Sequence, residues 1–268
     1  MRQFIVPSMP DSRGILTLTG KDFRYLHHVL RLQPGDAIHV RLPSGALQTM
    51  AVASISGHSI NLSACQEGET QETGVTAAEL EAAEPSNRIS LWLFQFMPKA
   101  QKMDLIIRQA TELGVTHIVP ILGATCQKGA ACQREERWER IIREARQQSG
   151  SPVETKISSP CNLTEALNLW KASCEESPCG VILYEKNQHT KSFHQALNVP
   201  VPCVAGLVVG CEGGITSNEI QLLVDAGFIP VHLDTNILRA ETAALYGLAV
   251  MQNLLTERQL WQSSVSNF

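Results

Sequence analysis

The chain has 268 residues, is 44% hydrophobic and is 18% charged. That composition supplies a buried core for one large domain or two modest ones and excludes a disordered, tail-dominated protein. The start MRQFIVPSMPD has no long apolar stretch, and no run of about 18 apolar residues occurs anywhere, so neither a secretory signal nor a membrane span is expected and the chain is expected in the cytoplasm. Eight cysteines include no C-x-x-C pair, which argues against a zinc ribbon or redox motif; scattered free thiols and no metal site are expected.

The net charge of −4 is unevenly spread: residues 1–65 hold six Lys/Arg against three Asp, and residues 66–86 hold six Glu and no base. A basic amino-terminal module ahead of a near-neutral larger one fits a small domain that touches phosphates. A chance fluctuation in surface charge fits equally well.

In chain order, Ile15–Leu18, Ala37–Val40 and Ser59–Leu62 read as strands separated by turn chemistry at Asp11–Gly14, Pro34–Asp36 and Pro43–Gly45. A short helix is predicted over Lys21–Leu30, because Phe23, Leu26 and Leu30 recur at helical spacing. The first 70 residues are therefore expected to form a small β-barrel with one helix inserted. Residues 71–86 are read as an acidic linker, in part an edge strand, and 87–268 as a second domain.

There the pattern becomes strand–helix alternation. Ile89–Phe96 is a strand, Ala100–Leu113 a helix stopped by Gly114, and Val115–Leu122 a strand. Glu135–Gln148 is a helix burying Trp138, Ile141, Ile142 and Ala145, and Thr164–Ser173 a shorter one. Val181–Tyr184 and Val204–Val209 are buried strands, and a capping box at Thr216–Glu219 opens a helix that closes at Gly227. Ile229–Leu233 is the last strand and Arg239–Leu255 the last helix. The alternation predicts an α/β domain with a mostly parallel sheet.

Two strand-to-helix loops carry chemistry. In Val209-Gly210-Cys211-Glu212-Gly213-Gly214, missing side chains let backbone amides approach a ligand beyond a strand's carboxyl end. Taken alone it is also what a tight turn needs. The second, from Leu233 through Ile237-Leu238-Arg239 to Glu241 and Thr242, puts a cation and an anion at a helix start, where Glu241 and Thr242 serve equally to stabilise the first turn. In the first domain Arg24 and Arg31 are phosphate-contact candidates beside His27 and His28, which fit a half-buried structural pair as well. Lys99 and Lys102 are read as phosphate contacts or as solvated lysines opening a helix.

Together, Gly-x-Glu-Gly-Gly and Ile-Leu-Arg-x-Glu-Thr-Ala resemble the RsmE family of SPOUT methyltransferases, which methylate N3 of a uridine in 16S ribosomal RNA. His27–Leu32 with Pro34-Gly35-Asp36 is similar to that family's PUA-like RNA-binding domain. Lys102-Met103-Asp104, Thr111–Val115 and Gln147–Gly150 are similar to further family segments. The resemblance implies a trefoil-knotted SPOUT domain, the chain beyond about residue 204 threading an earlier loop, and a homodimer acting on 16S ribosomal RNA of the small subunit. It implies S-adenosyl-L-methionine as cofactor, lined by Val209, Gly210, Glu212 and Gly213 on one side and by Leu233, Ile237, Leu238 and Thr242 on the other, with Leu183 and Tyr184 on its adenosine or methionine part. Arg239 is then expected to stabilise a uracil anion or bind phosphate, Glu241 to hold Arg239 or a loop amide, and Glu212 to be another candidate for taking the N3 proton. RNA contacts are expected from Arg24, His27, Arg31 and Lys102.

The chain departs from the pattern at Cys211, where Pro is usual, at Asp234 for Gly and at Ala240 for Thr. Thr125, Ser151 and Asn236 stand where arginines are common, which weakens the expected grip on phosphate. Two other readings remain: a non-catalytic RNA-binding or ribosome-assembly protein on the same fold, and a nucleotide-dependent oxidoreductase. The late position of the glycine loop disfavours the oxidoreductase, since dinucleotide-binding folds carry theirs after the first strand.

Overall fold

The computed structural model describes residues 3–65, 89–126, 135–173, 178–186 and 190–265. The linker and edge strand expected within 66–86 lie outside the described residues. Two compact units are present: Met1–Glu84 with Arg146–Pro152, and Pro85–Ala145 with Val153–Phe268.

The first unit is built on a five-stranded sheet in the order β1-β3-β4-β5-β2. Its strands are β1 (Phe4–Ile5), β2 (Ile15–Thr19), β3 (Ala37–Arg41), β4 (Leu47–Ser56) and β5 (Ser59–Ala64). β1 runs parallel to β3 and the other pairings are antiparallel, with a register shift in β4 between Val52 and Ser54. One face buries Leu16, Leu18, Val40, Met50, Val52, Ile60 and Leu62, alternate residues of each strand as the two-residue repeat requires.

The expected helix is present as α1 (Gly20–Arg24) continued by a π-helical turn (Tyr25–Val29), in which Leu30 N–H reaches Tyr25 O at 2.9 Å. Phe23 and Leu26 go into the core while Leu30 is half-buried. Arg31 closes the turn at φ 58°, the left-handed region that costs a side-chain-bearing residue about 1–2 kcal/mol.

The second unit is a six-stranded sheet in the order β11-β9-β10-β6-β7-β8, every pairing parallel. Its strands are β6 (Ser90–Phe96), β7 (His117–Ile121), β8 (Lys156–Ile157), β9 (Cys179–Leu183), β10 (Val204–Val209) and β11 (Phe228–Val231). Its helices are α2 (Ala100–Glu112), α3 (Glu135–Ser149), α4 (Leu163–Ala172), α5 (Phe193–Ala196), α6 (Ser217–Asp225) and α7 (Ala240–Val265). Along β6, Leu91 and Leu93 face one apolar cluster with Met103, Ile106 and Leu248, while Trp92, Phe94 and Phe96 face another with Trp170 and Phe228. Burial on both faces explains why these strands read as continuous apolar runs.

Glycine sets the closest approaches. A Cβ on Gly206 of β10 would stand 3.0 Å from the Trp170 ring, and one on Gly247 of α7 would stand 2.8 Å from Leu207 and 2.9 Å from Leu183. An interior helical glycine costs up to about 1 kcal/mol against alanine, so Gly247 is accounted for by how near α7 lies to β9 and β10. Those strands, with β6 and β11, end at the loops that form the site.

Candidate methyl-donor site

A cavity of about 490 Å³ opens where β9, β10 and β11 end. Ligands of parallel sheets bind beyond the carboxyl ends of the strands, and the volume is that of a small-molecule site, roughly 300–1,000 Å³. One wall is the loop after β10, with Val209, Gly210, Glu212 and Gly213. The facing wall is the loop after β11, with Leu233, Ile237, Leu238 and Arg239. Leu183 and Tyr184, at the end of β9, and Lys102 of α2 also line it.

The first wall is tightly braced. Gly214 N–H donates to Cys211 O at 2.9 Å, and Gly214 takes φ 70°, a conformation suited to glycine. A Cβ on Gly213 would stand 2.7 Å from Thr125 Cβ, so Gly213 admits that neighbour. Thr125 Oγ1 donates to Gly214 O at 2.8 Å and so holds the loop. Buried Gln95, at the end of β6, donates Nε2 towards Gly210 O at 3.3 Å and Val209 O at 3.4 Å.

Glu219 extends the bracing. Its carboxylate accepts from Thr216 N–H at 2.9 Å and Thr216 Oγ1 at 2.6 Å, completing the predicted capping box. It also accepts from Ala124 N–H at 2.8 Å, tying the segment after β7 to the start of α6. Burial pushes the Glu219 carboxyl up, but the bonds from Thr216 and Ala124 prevail and hold it below the usual carboxylate value.

Charge is organised by Lys102. Its ammonium lies 2.9 Å from Glu212 Oε1 and 3.2 Å from Glu241 Oε2, joining the two loops through α2. The bonds to Glu212 and then Glu241 raise the Lys102 pKa against the opposing effect of burial. Burial raises the Glu212 carboxyl, yet Lys102 and the Lys99 amide, 3.4 Å away, hold it below its ordinary value. Both partners therefore stay charged at neutral pH.

The second wall carries fewer bonds. His232 Nδ1 lies 3.2 Å from Tyr184 O, and Thr235 N–H donates to Leu233 O at 2.8 Å. Ile237 is 92% exposed although it borders the cavity.

Of the expected site residues, Lys102 and Glu212 lie among the cavity walls, while Glu241 is outside the lining. Glu241 meets Lys102; among the described residues it makes no ion pair with Arg239. Thr242 is exposed and outside the cavity lining, because a helix turns about 100° per residue and brings Ala240 and Ala243 to that wall instead. Ser151 is buried and its carbonyl accepts from Gln3 Nε2 at 3.0 Å. Arg24, His27 and Arg31 lie in the other unit, where His27 stacks on Phe23 with centroids 5.3 Å apart and Arg24 and Arg31 are exposed. Sequence reasoning missed Gln95, the reach of Glu219 to Ala124 and the joint grip of Lys102, none of which has a local signature.

The RNA methyltransferase domain family matches residues 84–252. A ribosomal RNA small subunit methyltransferase E of Synechocystis sp. is 32% identical over 243 residues, covering 90% of this chain and 73% of the relative. One of Aquifex aeolicus is 33% identical over 177 residues, covering 65% of this chain and 72% of the relative. The crystal structure of the Neisseria gonorrhoeae ribosomal RNA small subunit methyltransferase E bound to S-adenosyl methionine superposes with a TM-score of 0.76 at 26% identity, covering 95% of this chain and 98% of that one. With a family match over more than half its length, this chain belongs to the RsmE family of ribosomal RNA small subunit methyltransferases.

Proposed function

We propose that this chain transfers a methyl group from S-adenosylmethionine to N3 of a uridine in 16S ribosomal RNA of the small ribosomal subunit. The observation that carries the reading is the convergence of the Gly210–Gly214 and Leu233–Arg239 segments on one cavity. The residues fit the cofactor: Leu183, Val209 and Leu233 offer apolar surface for a nucleoside, and the loop glycines leave backbone open to polar groups.

When bound there, S-adenosylmethionine supplies an electrophilic methyl group and its own leaving group, so the protein's task is to orient the reactants. The uridine has to be unpaired, because N3 is otherwise a Watson–Crick donor. Arg239, exposed at the cavity rim, stabilises the negative charge that reaches the uracil oxygens when N3 loses its proton. Glu212 accepts that proton: it lines the cavity and is held ionised, whereas Glu241 does not line the cavity. Glu241 acts as a positioning residue through Lys102.

The first unit is proposed as a PUA-like RNA-binding module using Arg24, His27 and Arg31. An arginine held in a left-handed conformation where glycine is easier supports a role for its charge. The trefoil knot belongs to the same reading, as the resemblance to the RsmE family implies. So does a homodimer: Leu105 of α2 and Tyr246 of α7 expose large apolar surface that a second copy would cover.

The test is mass-spectrometric mapping of methylated uridines in 16S ribosomal RNA from cells with and without the gene, followed by methylation of unmodified 30S subunits by Arg239→Ala. A single N3-methyluridine lost with the gene is expected, and a fall of about 100-fold or more for the variant. Near-normal turnover by Arg239→Ala removes that residue from the mechanism, and RNA binding without methyl transfer by the intact protein overturns the enzymatic reading.

A further inference from the structure

The cavity floor carries a feature that methyl transfer does not use. Cys211, buried in the loop after β10, and Cys126, half-buried after β7, are 85 residues apart in sequence, yet their sulfurs are 4.0 Å apart. Both are held in place. Gly123 N–H donates to Cys126 Sγ at 3.2 Å, and Thr125 Oγ1 lies 3.3 Å from Cys211 Sγ. Cys211 is among the residues that line the cavity.

We infer that Cys126 and Cys211 form a reversible, peroxide-sensitive disulfide that reshapes the methyl-donor cavity. The effect on the cavity rests on the cofactor reading above; the disulfide itself does not. In the first step the Cys211 thiolate attacks one oxygen of hydrogen peroxide: an S–O bond forms, the O–O bond breaks, and hydroxide leaves and is protonated to water. The Cys126 sulfur then attacks the Cys211 sulfenic acid as its thiol proton passes to the departing hydroxide, forming S–S and a second water. Two thiols lose two electrons and hydrogen peroxide becomes two waters; a dithiol reductant reverses the step by exchange.

Electrostatics suit these roles. The hydrogen bond from Cys126 outweighs burial and, with the Gly213 amide, holds the Cys211 thiol below its ordinary value. The same bond and burial push the Cys126 thiol up, so it keeps its proton until the second step. A thiolate is the reactive form of cysteine.

Forming the bond draws the sulfurs from 4.0 Å to about 2.05 Å. Cys211 sits in the same short loop as Gly210 and Glu212, which line the cavity. In the proposal the shortening is taken up in part by the Gly210–Glu212 backbone, which changes the wall of the cavity.

The experiment uses the full-length protein, reduced, desalted and treated with hydrogen peroxide. Free thiols are then alkylated and peptides mapped by mass spectrometry, and S-adenosylhomocysteine affinity is measured by calorimetry before oxidation, after it, and after dithiothreitol. A Cys126–Cys211 linked peptide is expected, with affinity lowered at least about tenfold and restored by dithiothreitol. Cys126→Ser should bind like the reduced protein, trap a dimedone-reactive sulfenic acid at Cys211 and form no linked peptide. Cys211 remaining fully alkylatable, or pairing with another cysteine, overturns the disulfide; a linked protein with unchanged affinity overturns its effect on the cavity. If the reduced protein does not bind S-adenosylhomocysteine, the cofactor reading fails while the peptide map still decides the disulfide.

Discussion

The two loops facing each other across the cavity differ in how they are held. The loop after β10 is fixed by Thr125, Gln95 and the Gly214 turn, and Glu219 clamps the start of the next helix to the segment after β7. The loop after β11 has few bonds of its own, exposes Ile237 and presents Arg239 at the rim. The difference separates a braced cradle from an arm that few bonds hold. Lys102 is the point at which the two are joined.

The largest test of this contrast is Glu219→Ala. It removes a buried carboxylate that serves a helix cap and a neighbouring segment, so a loss of about 2–3 kcal/mol in urea unfolding is expected, with weaker S-adenosylhomocysteine binding. A loss near 0.5 kcal/mol or less would mean the cradle does not depend on that clamp. Next comes Lys102→Met. Unfolding should change little, because partly exposed ion pairs contribute little to stability, while methylation falls about tenfold or more and Lys102→Arg recovers part of it. A pure stability loss with normal turnover would deny Lys102 its joining role.

Acid provides a third test. The Glu212 and Glu219 carboxyls lie below their ordinary value of 4.5 in the folded chain. Their contribution is thus fully present above about pH 4.5 and is lost as pH falls through the depressed values. The melting temperature should drop below about pH 4.5 more steeply for the wild type than for Glu219→Gln; parallel curves would break the assignment for Glu219. The smallest effect belongs to that arm: Ile237→Ala should leave melting unchanged and weaken S-adenosylhomocysteine by less than about tenfold, since Ile237 is already exposed.

Legibility in the sequence followed the range of the interactions. Val204–Val209 was read with its observed bounds, because a strand buried on both faces is apolar throughout. The Thr216–Glu219 box and the stops at Gly114 and Gly227, with φ of 77° and 90°, announced themselves through side-chain type alone. By contrast β4, the longest of the described strands of the first unit, was not marked out: Leu47–Ser56 mixes polar and apolar residues across a register shift that breaks its alternation. The two-residue strands β1 and β8 and the four-residue α5 are too short to show a period. The first helix was placed correctly, but its π-helical turn was not foreseen.

The sequence by itself determined the α/β alternation, the helix caps and the two motifs that identify the family. Each is a matter of neighbouring residues: a period of two or 3.6, a capping side chain, a glycine taking a positive φ. Only the tertiary structure decided that Lys102 meets both Glu212 and Glu241, that Glu219 reaches Ala124, and that Cys126 lies beside Cys211. Those pairs are brought together by the insertion of β10 between β6 and β9, a choice set by burial over the whole sheet and invisible to any short window of the chain.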